Sequence, residues 1–375
     1  MKLRVDRAEF GKAVAWAARS LPSRPTLPVL SGAVLTASGD KLTVSGYDQD
    51  ISNEADIDVT ADDSGSVVVP GRMLSEIVKA LPDQPVTIAV EAARAVLSCG
   101  DGRFRMPIMP IEDYPATPTM PAAVGTVDAT GFATAVAQTA VAAGHDEVLP
   151  MMTGVQLELA DSITMWATDR YRIATTELTW RPSSSATSVT ALVPARTLAS
   201  AAKTLPTAAT EIAIAVSDPS GPNHLIGFAA GPLRTTTRVL DGQLPDLRAQ
   251  LARDFDARIA IGTAALSEVA HRVSLVSTRQ TKLTLTAEAD RVVIEADDGD
   301  TDAAEAVKCR YAGPPLRLSF QATYLRDGLS AVRAPISVLS VDANRQRVLL
   351  TGAKTLDDDH GDDRRFRYLL VPLRR

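Results

Sequence analysis

The chain has 375 residues, of which 45% are hydrophobic and 22% are charged. This composition is typical of soluble globular proteins, and the length predicts two or three domains. No uncharged apolar run is long enough to cross a membrane, the N-terminal MKLRVDRAEF lacks the apolar core of a signal peptide, and two cysteines far apart in sequence exclude a disulfide framework. We therefore expect a cytoplasmic protein. The net charge of −6 argues against nucleic-acid binding unless the basic residues are concentrated on one surface.

Residues 1–121 are predicted to form a first unit. It opens with a short strand and a helix from Asp6 to about Ser20, where Asp6 as N-cap and Glu9 three residues later give the capping-box pattern. Several short strands follow, among them one predicted at Ile51–Val59. A proline-rich stretch marks the end of the unit.

The strongest feature of the sequence is an internal repeat. Val67–Val90, which predicts a strand, a helix, a proline stop and a strand, returns as Ala191–Val216 at a constant offset of 124 (194 − 70 and 206 − 82). Residues 125–253 thus repeat the first unit, and residues 254–375 repeat it more loosely. Helices of the third copy are predicted at Thr263–Ser277 and Phe320–Arg333. A fixed-period repeat of this kind predicts three α+β units, each with two helices packed against antiparallel sheet.

The repeated helix carries basic residues on the side away from its apolar face. Arg72 and Lys79 lie opposite Leu74, and Arg196 and Lys203 occupy the same positions in the second copy. Such residues are ordinarily just solvated, but the same sign recurs across units while acidic residues collect in strands and turns. If the helices share one surface, it is suited to contacts with DNA phosphates that read no sequence.

No residues with the spacing of a catalytic or metal site occur. The four histidines are scattered, and no phosphate-binding glycine motif or nucleophile motif is present. The acidic run 357–363 lacks the order of a calcium-binding loop and is interpreted as a solvated loop. We expect no catalytic residues, no cofactor and no metal, with an enzyme on a repeated α+β scaffold as the alternative from another functional class.

Five segments resemble the β subunit of bacterial DNA polymerase III, the sliding clamp, in its actinobacterial form. They are Arg24–Leu30 (RPTLPVL), Val69–Arg72 (VPGR), Ala167–Ile173 (ATDRYRI), Leu240–Asp246 (LDGQLPD) and Tyr368–Arg374 (YLLVPLR). They occur in all three units in the order of the family, so the resemblance covers the whole chain. It implies clamp domains at residues 1–121, 125–253 and 254–375, which assemble head to tail into a homodimeric ring.

The resemblance further implies that double-stranded DNA runs through this ring and that the protein is a non-catalytic processivity factor. Arg24, Arg72 and Lys79 match DNA-contacting positions of the family. Arg196 and Lys203 are assigned the same role through the internal repeat.

A second site implied by the resemblance is a pocket for short peptides of the polymerase III α subunit, the clamp loader and repair polymerases. Apolar walls with a few polar anchors suit such a ligand. From the residues alone, Leu369–Val371 are equally well explained as a core strand. The matching positions are Met152, Thr168, Arg170, Tyr171, Arg172, Ile173, Pro245, Gln321, Tyr324, Leu369, Leu370, Val371 and Pro372.

The subunit contact implied by the resemblance joins an edge strand of the first domain, residues 103–109, to the third domain of a second copy. Opposite charges are expected to meet across it. The residues expected there are Arg103, Arg105, Asp300, Asp302 and Glu305.

Several positions near the pocket depart from the family pattern, among them Gln250, the acidic run 357–363 and the terminal Arg374 and Arg375. They leave open a specialised second clamp with altered peptide or inhibitor binding, for example one that tolerates a clamp-binding antibiotic. An adaptor that binds peptides without encircling DNA is a further alternative.

Overall fold

The computed structural model describes most of the chain, namely residues 1–146, 148–184, 188–218, 224–252, 254–276, 282–297, 299–357 and 365–373. Across these ranges the helices are α1 (Arg7–Ala17), α2 (Gly71–Ala80), α3 (Ala129–Ala140), α4 (Ala195–Thr204), α5 (Arg248–Leu251), α6 (Thr263–Val273) and α7 (Ala322–Ala331).

Strands account for more residues than helices in each domain. The first domain has β1 (Lys2–Val5), β2 (Gly32–Ser38), β3 (Lys41–Tyr47), β4 (Ile51–Asp63), β5 (Gly65–Pro70), β6 (Val86–Glu91), β7 (Arg94–Cys99) and β8 (Gly102–Pro107). The second has β9 (Ala123–Asp128), β10 (Gly154–Leu159), β11 (Ile163–Thr168), β12 (Arg172–Leu178), β13 (Arg181–Pro182), β14 (Val189–Pro194), β15 (Glu211–Val216), β16 (Leu225–Ala230) and β17 (Leu233–Arg238). The third has β18 (Ala257–Gly262), β19 (Lys282–Ala287), β20 (Arg291–Asp297), β21 (Asp302–Tyr311), β22 (Leu316–Gln321), β23 (Ile336–Val341), β24 (Val348–Ala353) and β25 (Phe366–Leu370).

The chain separates into two compact units, each containing parts of more than one domain. Unit 1 comprises Met1–Ala129 and Lys203–Val239, and unit 2 comprises Thr130–Ala202 and Leu240–Arg375. In unit 1 the strands follow the order β9-β15-β16-β17-β4-β1-β6-β7-β8, with β3, β2 and β5 branching from β4. In unit 2 the order is β14-β10-β11-β12-β25-β24-β23-β18-β21-β20-β19-β22. Sheets therefore continue from one domain into the next.

Two of these continuations matter for function. In unit 1, β17 pairs with β4, and across that seam Arg234 forms ion pairs with Asp56 at 2.5 Å and Glu54 at 3.3 Å. In unit 2, β12 pairs with β25 from Arg172↔Leu370 to Thr176↔Phe366. The second pairing brings the turn that precedes β12 beside the C-terminal strand, although the two are far apart in sequence.

The predicted elements are present, with shifted ends that have local causes. Asp6 caps α1 by accepting from the N–H groups of Ala8 and Glu9, but the α-helix ends at Ala17 and a 3₁₀ turn completes the predicted span. Strand β4 runs four residues past its predicted end because β1 pairs with it there, up to Lys2↔Asp63.

The third-domain helices are also shorter than predicted. Helix α6 gives way to a 3₁₀ turn after Val273, and α7 starts only at Ala322 and ends at Ala331 because Val332 adopts an extended backbone. Each helix places its apolar face on the sheet: Leu266 in α6 and Leu325 in α7 are fully buried.

Candidate functional site

Helix α2 presents the predicted basic face to solvent. Leu74 and Val78 are 0% and 1% exposed, whereas Arg72 and Lys79 are exposed. The spacing of seven residues places the two cations above one another on the outer side of the helix. Arg24, the third cation assigned to DNA in the first domain, is also exposed.

Helix α4 repeats this arrangement. Leu198 is fully buried, while Arg196 and Lys203 are exposed. The second copy differs at its end, where a 3₁₀ turn from Leu205 to Thr207 continues the helix. All four repeated cations therefore lie on solvent-facing surfaces, as the helical periodicity predicts.

In the third domain, one basic residue of the helices is paired with carboxylates. Arg272 on α6 forms ion pairs with Glu305 at 2.6 Å and Glu268 at 3.5 Å. Arg326 on α7 contacts the Nδ1 atom of His271 at 3.1 Å, and Arg333 is exposed. Carboxylates therefore offset the charge of Arg272, whereas Arg326 and Arg333 are exposed.

The turn between β11 and β12 is built to project a tyrosine. The carboxylate of Asp169 accepts from the N–H groups of Tyr171 and Arg172, and the hydroxyl of Thr168 donates to the carbonyl of Arg172 at 2.7 Å. Arg170 adopts a left-handed backbone with φ 80°. These bonds hold Tyr171 outward, where 54% of its surface is exposed.

Arg172 lies behind this turn rather than on the surface. Its side chain is 4% exposed and bonds to Asp169 at 2.9 Å and Asp327 at 2.6 Å. Its guanidinium also lies 4.3 Å from the ring centroid of Tyr324 and 3.4 Å from the hydroxyl of Tyr368. Burial disfavours the charge, but Tyr368, Asp327 and Asp169 outweigh it and raise the pKa of Arg172 above its ordinary value. The residue therefore anchors the turn.

Beside the turn lies a cavity of about 270 Å³. Nine of the thirteen residues predicted for the peptide pocket line it, together with three that the prediction did not include in its residue set. The nine are Met152, Thr168, Arg170, Tyr171, Arg172, Ile173, Pro245, Leu369 and Val371, and the three are Leu247, Gln250 and Arg347.

Four predicted pocket residues lie outside this lining. Leu370 is 1% exposed and belongs to the core side of β25. Tyr324 stacks on Tyr171 with ring centroids 6.3 Å apart, and Gln321 ends β22 as the N-cap of α7. Pro372 lines a separate cavity of about 1010 Å³.

Of the three added residues, two had a signal in the sequence. Leu247 follows the predicted segment Leu240–Asp246 directly and is 9% exposed, and Gln250 stands out as a departure from the family pattern. The side-chain oxygen of Gln250 is buried and has no hydrogen-bond partner within the described ranges. Arg347 had no such signal, because it reaches the cavity from the turn before β24.

Two strand edges are exposed where the subunit contact was predicted. In the described part of the chain, β8 pairs with β7 only. Strand β21 pairs with β20 along Asp302–Lys308, but its other side is paired to β18 only from Cys309 to Tyr311. Exposed apolar residues accompany both regions: Phe104 on β8 is 38% exposed, and Leu275 after α6 is 69% exposed. The predicted interface residues were all charged and included neither Phe104 nor Leu275.

Arg103 and Glu305, which are predicted interface residues, form ion pairs within the protomer. Arg103 bonds to Glu91 at 2.9 Å, and Glu305 bonds to Arg272 at 2.6 Å. Arg105, Asp300 and Asp302 are exposed. Any pairing between subunits at Arg103 or Glu305 therefore competes with a bond inside the protomer.

Within the described ranges, no cluster of three or more histidine, cysteine, aspartate or glutamate side chains is placed to hold a metal ion. In the same ranges no helix has the length and hydropathy to cross a membrane. The predicted acidic run 357–363 lies outside the described residues except for Asp357, and so do Arg374 and Arg375.

Family models match the three successive domains. The model of the DNA polymerase III beta subunit N-terminal domain matches residues 1–118, that of the central domain residues 126–246, and that of the C-terminal domain residues 248–356. The chain belongs to the sliding-clamp family. The predicted family, the three-domain α+β clamp fold and the role in DNA replication are thereby confirmed, whereas the domain boundaries at 121, 125, 253 and 254 remain predictions.

Individual sliding clamps are similar to this chain along its full length. The beta sliding clamp of Streptomyces coelicolor is 41% identical over 376 residues, covering 100% of this chain and 99% of that protein. The beta sliding clamp homolog GriR of Streptomyces muensis is 34% identical with the same coverage. A crystal structure of the Pseudomonas aeruginosa sliding clamp bound to griselimycin is 25% identical, covers 100% of both chains and has a TM-score of 0.89.

Proposed function

We propose that two copies of this chain close head to tail into a ring around duplex DNA. The ring tethers the α subunit of DNA polymerase III, the clamp loader and repair polymerases by short peptides bound in the cavity beside Tyr171. The observation that carries the proposal is the convergence of nine predicted pocket residues on that one cavity. They come from segments that are distant in sequence, so their assembly is a property of the fold.

The chemistry of the cavity fits a short peptide with apolar side chains. Met152, Ile173 and Leu369 give apolar walls, and Gln250 gives a polar anchor. The unpartnered side-chain oxygen of Gln250 accepts a peptide N–H in this proposal, because a buried acceptor gains most when a ligand satisfies it.

On the DNA side, the proposed contacts are Arg24, Arg72, Lys79, Arg196 and Lys203, which bind phosphates and read no sequence. Processivity then follows from topology, so the protein needs neither tight DNA affinity nor a catalytic group. In the proposed ring the edge of β8 from one protomer meets the edge of β21 from the other. This contact is heterologous and must close after two subunits.

The pocket is tested with a fluorescent peptide copied from the clamp-binding segment of a replicative polymerase. Val371→Asp and Tyr171→Ala change exposed residues at the cavity, so folding is spared. We expect each to weaken peptide binding at least tenfold, while Met73→Ala, at an equally exposed apolar residue of α2, leaves it unchanged. Wild-type affinity in both cavity variants would overturn the assignment.

A second candidate role is a specialised clamp with altered inhibitor binding. It is favoured by the match to GriR, although the 34% identity is below the 41% shared with the Streptomyces coelicolor clamp. Griselimycin, which occupies the Pseudomonas aeruginosa clamp, separates the two roles. We expect a replication clamp of ordinary type to bind both the polymerase peptide and griselimycin. A chain that binds the peptide and resists the inhibitor supports the specialised role, and failure to bind the peptide excludes a replicative role.

A further inference from the structure

The larger cavity of unit 2, about 1010 Å³, has a strongly biased charge. Four of its lining residues are cations and none is a carboxylate, although the chain as a whole carries a net charge of −6. The four are Lys282, Arg317, Arg345 and Arg347. We name this cavity with its four cations the basic groove.

Strand register explains two of these cations. Strand β19 pairs with β22 so that Thr284 lies opposite Ser319 and Thr286 opposite Arg317. Since side chains two apart on a strand share a face, Lys282, Thr284, Ser319 and Arg317 all project from one surface of the sheet. The hydroxyls of Thr284 and Ser319 bond to each other at 3.0 Å, so the floor between the cations is polar and ordered.

A tight turn places the other two cations. The carboxylate of Asp342 accepts from the N–H groups of Gln346 and Arg347 at 2.7 and 3.0 Å. Arg345, within this turn, has a left-handed backbone with φ 54°. The Asp342 side chain is thus engaged in holding the turn that carries Arg345 and Arg347.

Lys282 and Arg317 also line a neighbouring cavity of about 480 Å³ that contains Glu295, Asp297, Asp300 and Asp302, but no carboxylate of the described residues lines the basic groove itself. Within the described ranges Lys282, Arg345 and Arg347 form no ion pair, and Arg317 makes only a long one, 3.7 Å from Glu295. Cations held together without carboxylates repel one another and gain from an anionic ligand.

The basic groove is continuous with the peptide cavity. Arg347 and Val371 line both. Beyond Val371 the chain runs along the outer strand β22, where the N–H of Leu373 donates to the carbonyl of Ser319 at 2.7 Å. A peptide seated beside Tyr171 therefore has a direct path past Val371 into the groove.

We propose that the basic groove binds an acidic stretch that flanks the clamp-binding segment of partner proteins. This inference rests on the proposed peptide-binding function and adds a charge preference to it. An acidic peptide is the occupant because the groove shares a wall with the peptide cavity, whereas none of the five cations proposed to face DNA lines the groove.

The experiment compares two fluorescent peptides with the same clamp-binding segment. One carries three aspartates next to the segment and the other three asparagines, and each is made with the extension at either end. Binding to the full chain is measured by anisotropy at low and high salt. The test variant is Lys282→Gln/Arg345→Asn, in which asparagine tolerates the left-handed backbone. The matched control is Arg94→Gln/Lys354→Gln, which removes two exposed charges outside both cavities.

We expect the aspartate peptide, in one of its two orientations, to bind the wild type about five- to tenfold more tightly than the asparagine peptide at low salt, as two or three exposed ion pairs permit. High salt and the test variant should each abolish this preference, while the control variant keeps it and the asparagine peptide binds all three proteins equally. This pattern supports the inference.

Other outcomes overturn it in distinguishable ways. Equal affinity of the two peptides for the wild type refutes the acidic flank and leaves peptide binding intact. A preference that survives in the test variant places the charge contact elsewhere. If a single-stranded oligonucleotide, and neither peptide, loses affinity in the test variant, the groove binds nucleic-acid phosphate instead. Failure of both peptides to bind any protein refutes the proposed peptide site itself.

Discussion

The turn that presents Tyr171 depends on Arg172, so replacing this arginine by methionine should destabilise unit 2. The side chain is 4% exposed and links Asp169, which is 12% exposed, to Asp327 and Tyr368. Removing one partner from a buried ion pair costs about 3–5 kcal/mol because the remaining charge is left uncompensated. Asp169 keeps two backbone hydrogen bonds and Asp327 is 45% exposed, so we expect the lower end, about 3 kcal/mol.

Urea unfolding followed by tryptophan fluorescence measures this loss. Trp166 and Trp180 lie in unit 2 and Trp16 in unit 1, so a Trp16→Phe background reports on unit 2. With a slope of about 3 kcal/mol per molar urea, the Arg172→Met midpoint should fall by about 1 M. Arg170→Met, the same substitution at an exposed neighbour, should shift it little. Equal midpoints for the two variants would refute the anchoring role of the buried arginine.

Three further predictions address the DNA surface, the subunit edge and the core. Neutralising Arg72 and Lys79 together should lower the salt slope of DNA binding by about one for each phosphate that is no longer neutralised; an unchanged slope would remove both residues from the DNA surface. Phe104→Asp should leave the fold intact and convert the proposed dimer to a monomer in light scattering; a variant that stays as dimeric as the wild type would argue against β8 at the interface. Gly328→Ala should lower the urea midpoint by the equivalent of about 1–3 kcal/mol, because the added Cβ would lie 2.4 Å from a ring carbon of fully buried Tyr368; a wild-type midpoint would contradict this packing.

Local periodicity was sufficient to predict which side of the repeated helix is buried. The burial of Leu74 and the exposure of Arg72 and Lys79 depend only on the 3.6-residue repeat of the helix, so the sequence alone predicts them. The neutralisation of Arg272 by Glu305 was not predictable in this way. The two residues meet only because α6 packs near β21, which is a tertiary contact.

The peptide cavity could not be predicted from sequence periodicity alone. Pairing of β12 with β25 joins Ile173 to Leu369 across the whole third domain, and no periodicity encodes such a partner. The resemblance to the family supplied that pairing for the nine residues that line the cavity. It did not supply Arg345 or Lys282, because neither residue lies in a segment that carries the resemblance.

Retention on circular DNA tests whether two copies of the chain encircle DNA. After loading by a clamp loader with ATP onto a nicked circular duplex, the protein is separated from free material by gel filtration in high salt. We expect the chain to stay with the circle and to be released when the same DNA is linearised, because only topology holds it. Equal retention on circular and linear DNA, or retention on neither, would contradict the ring.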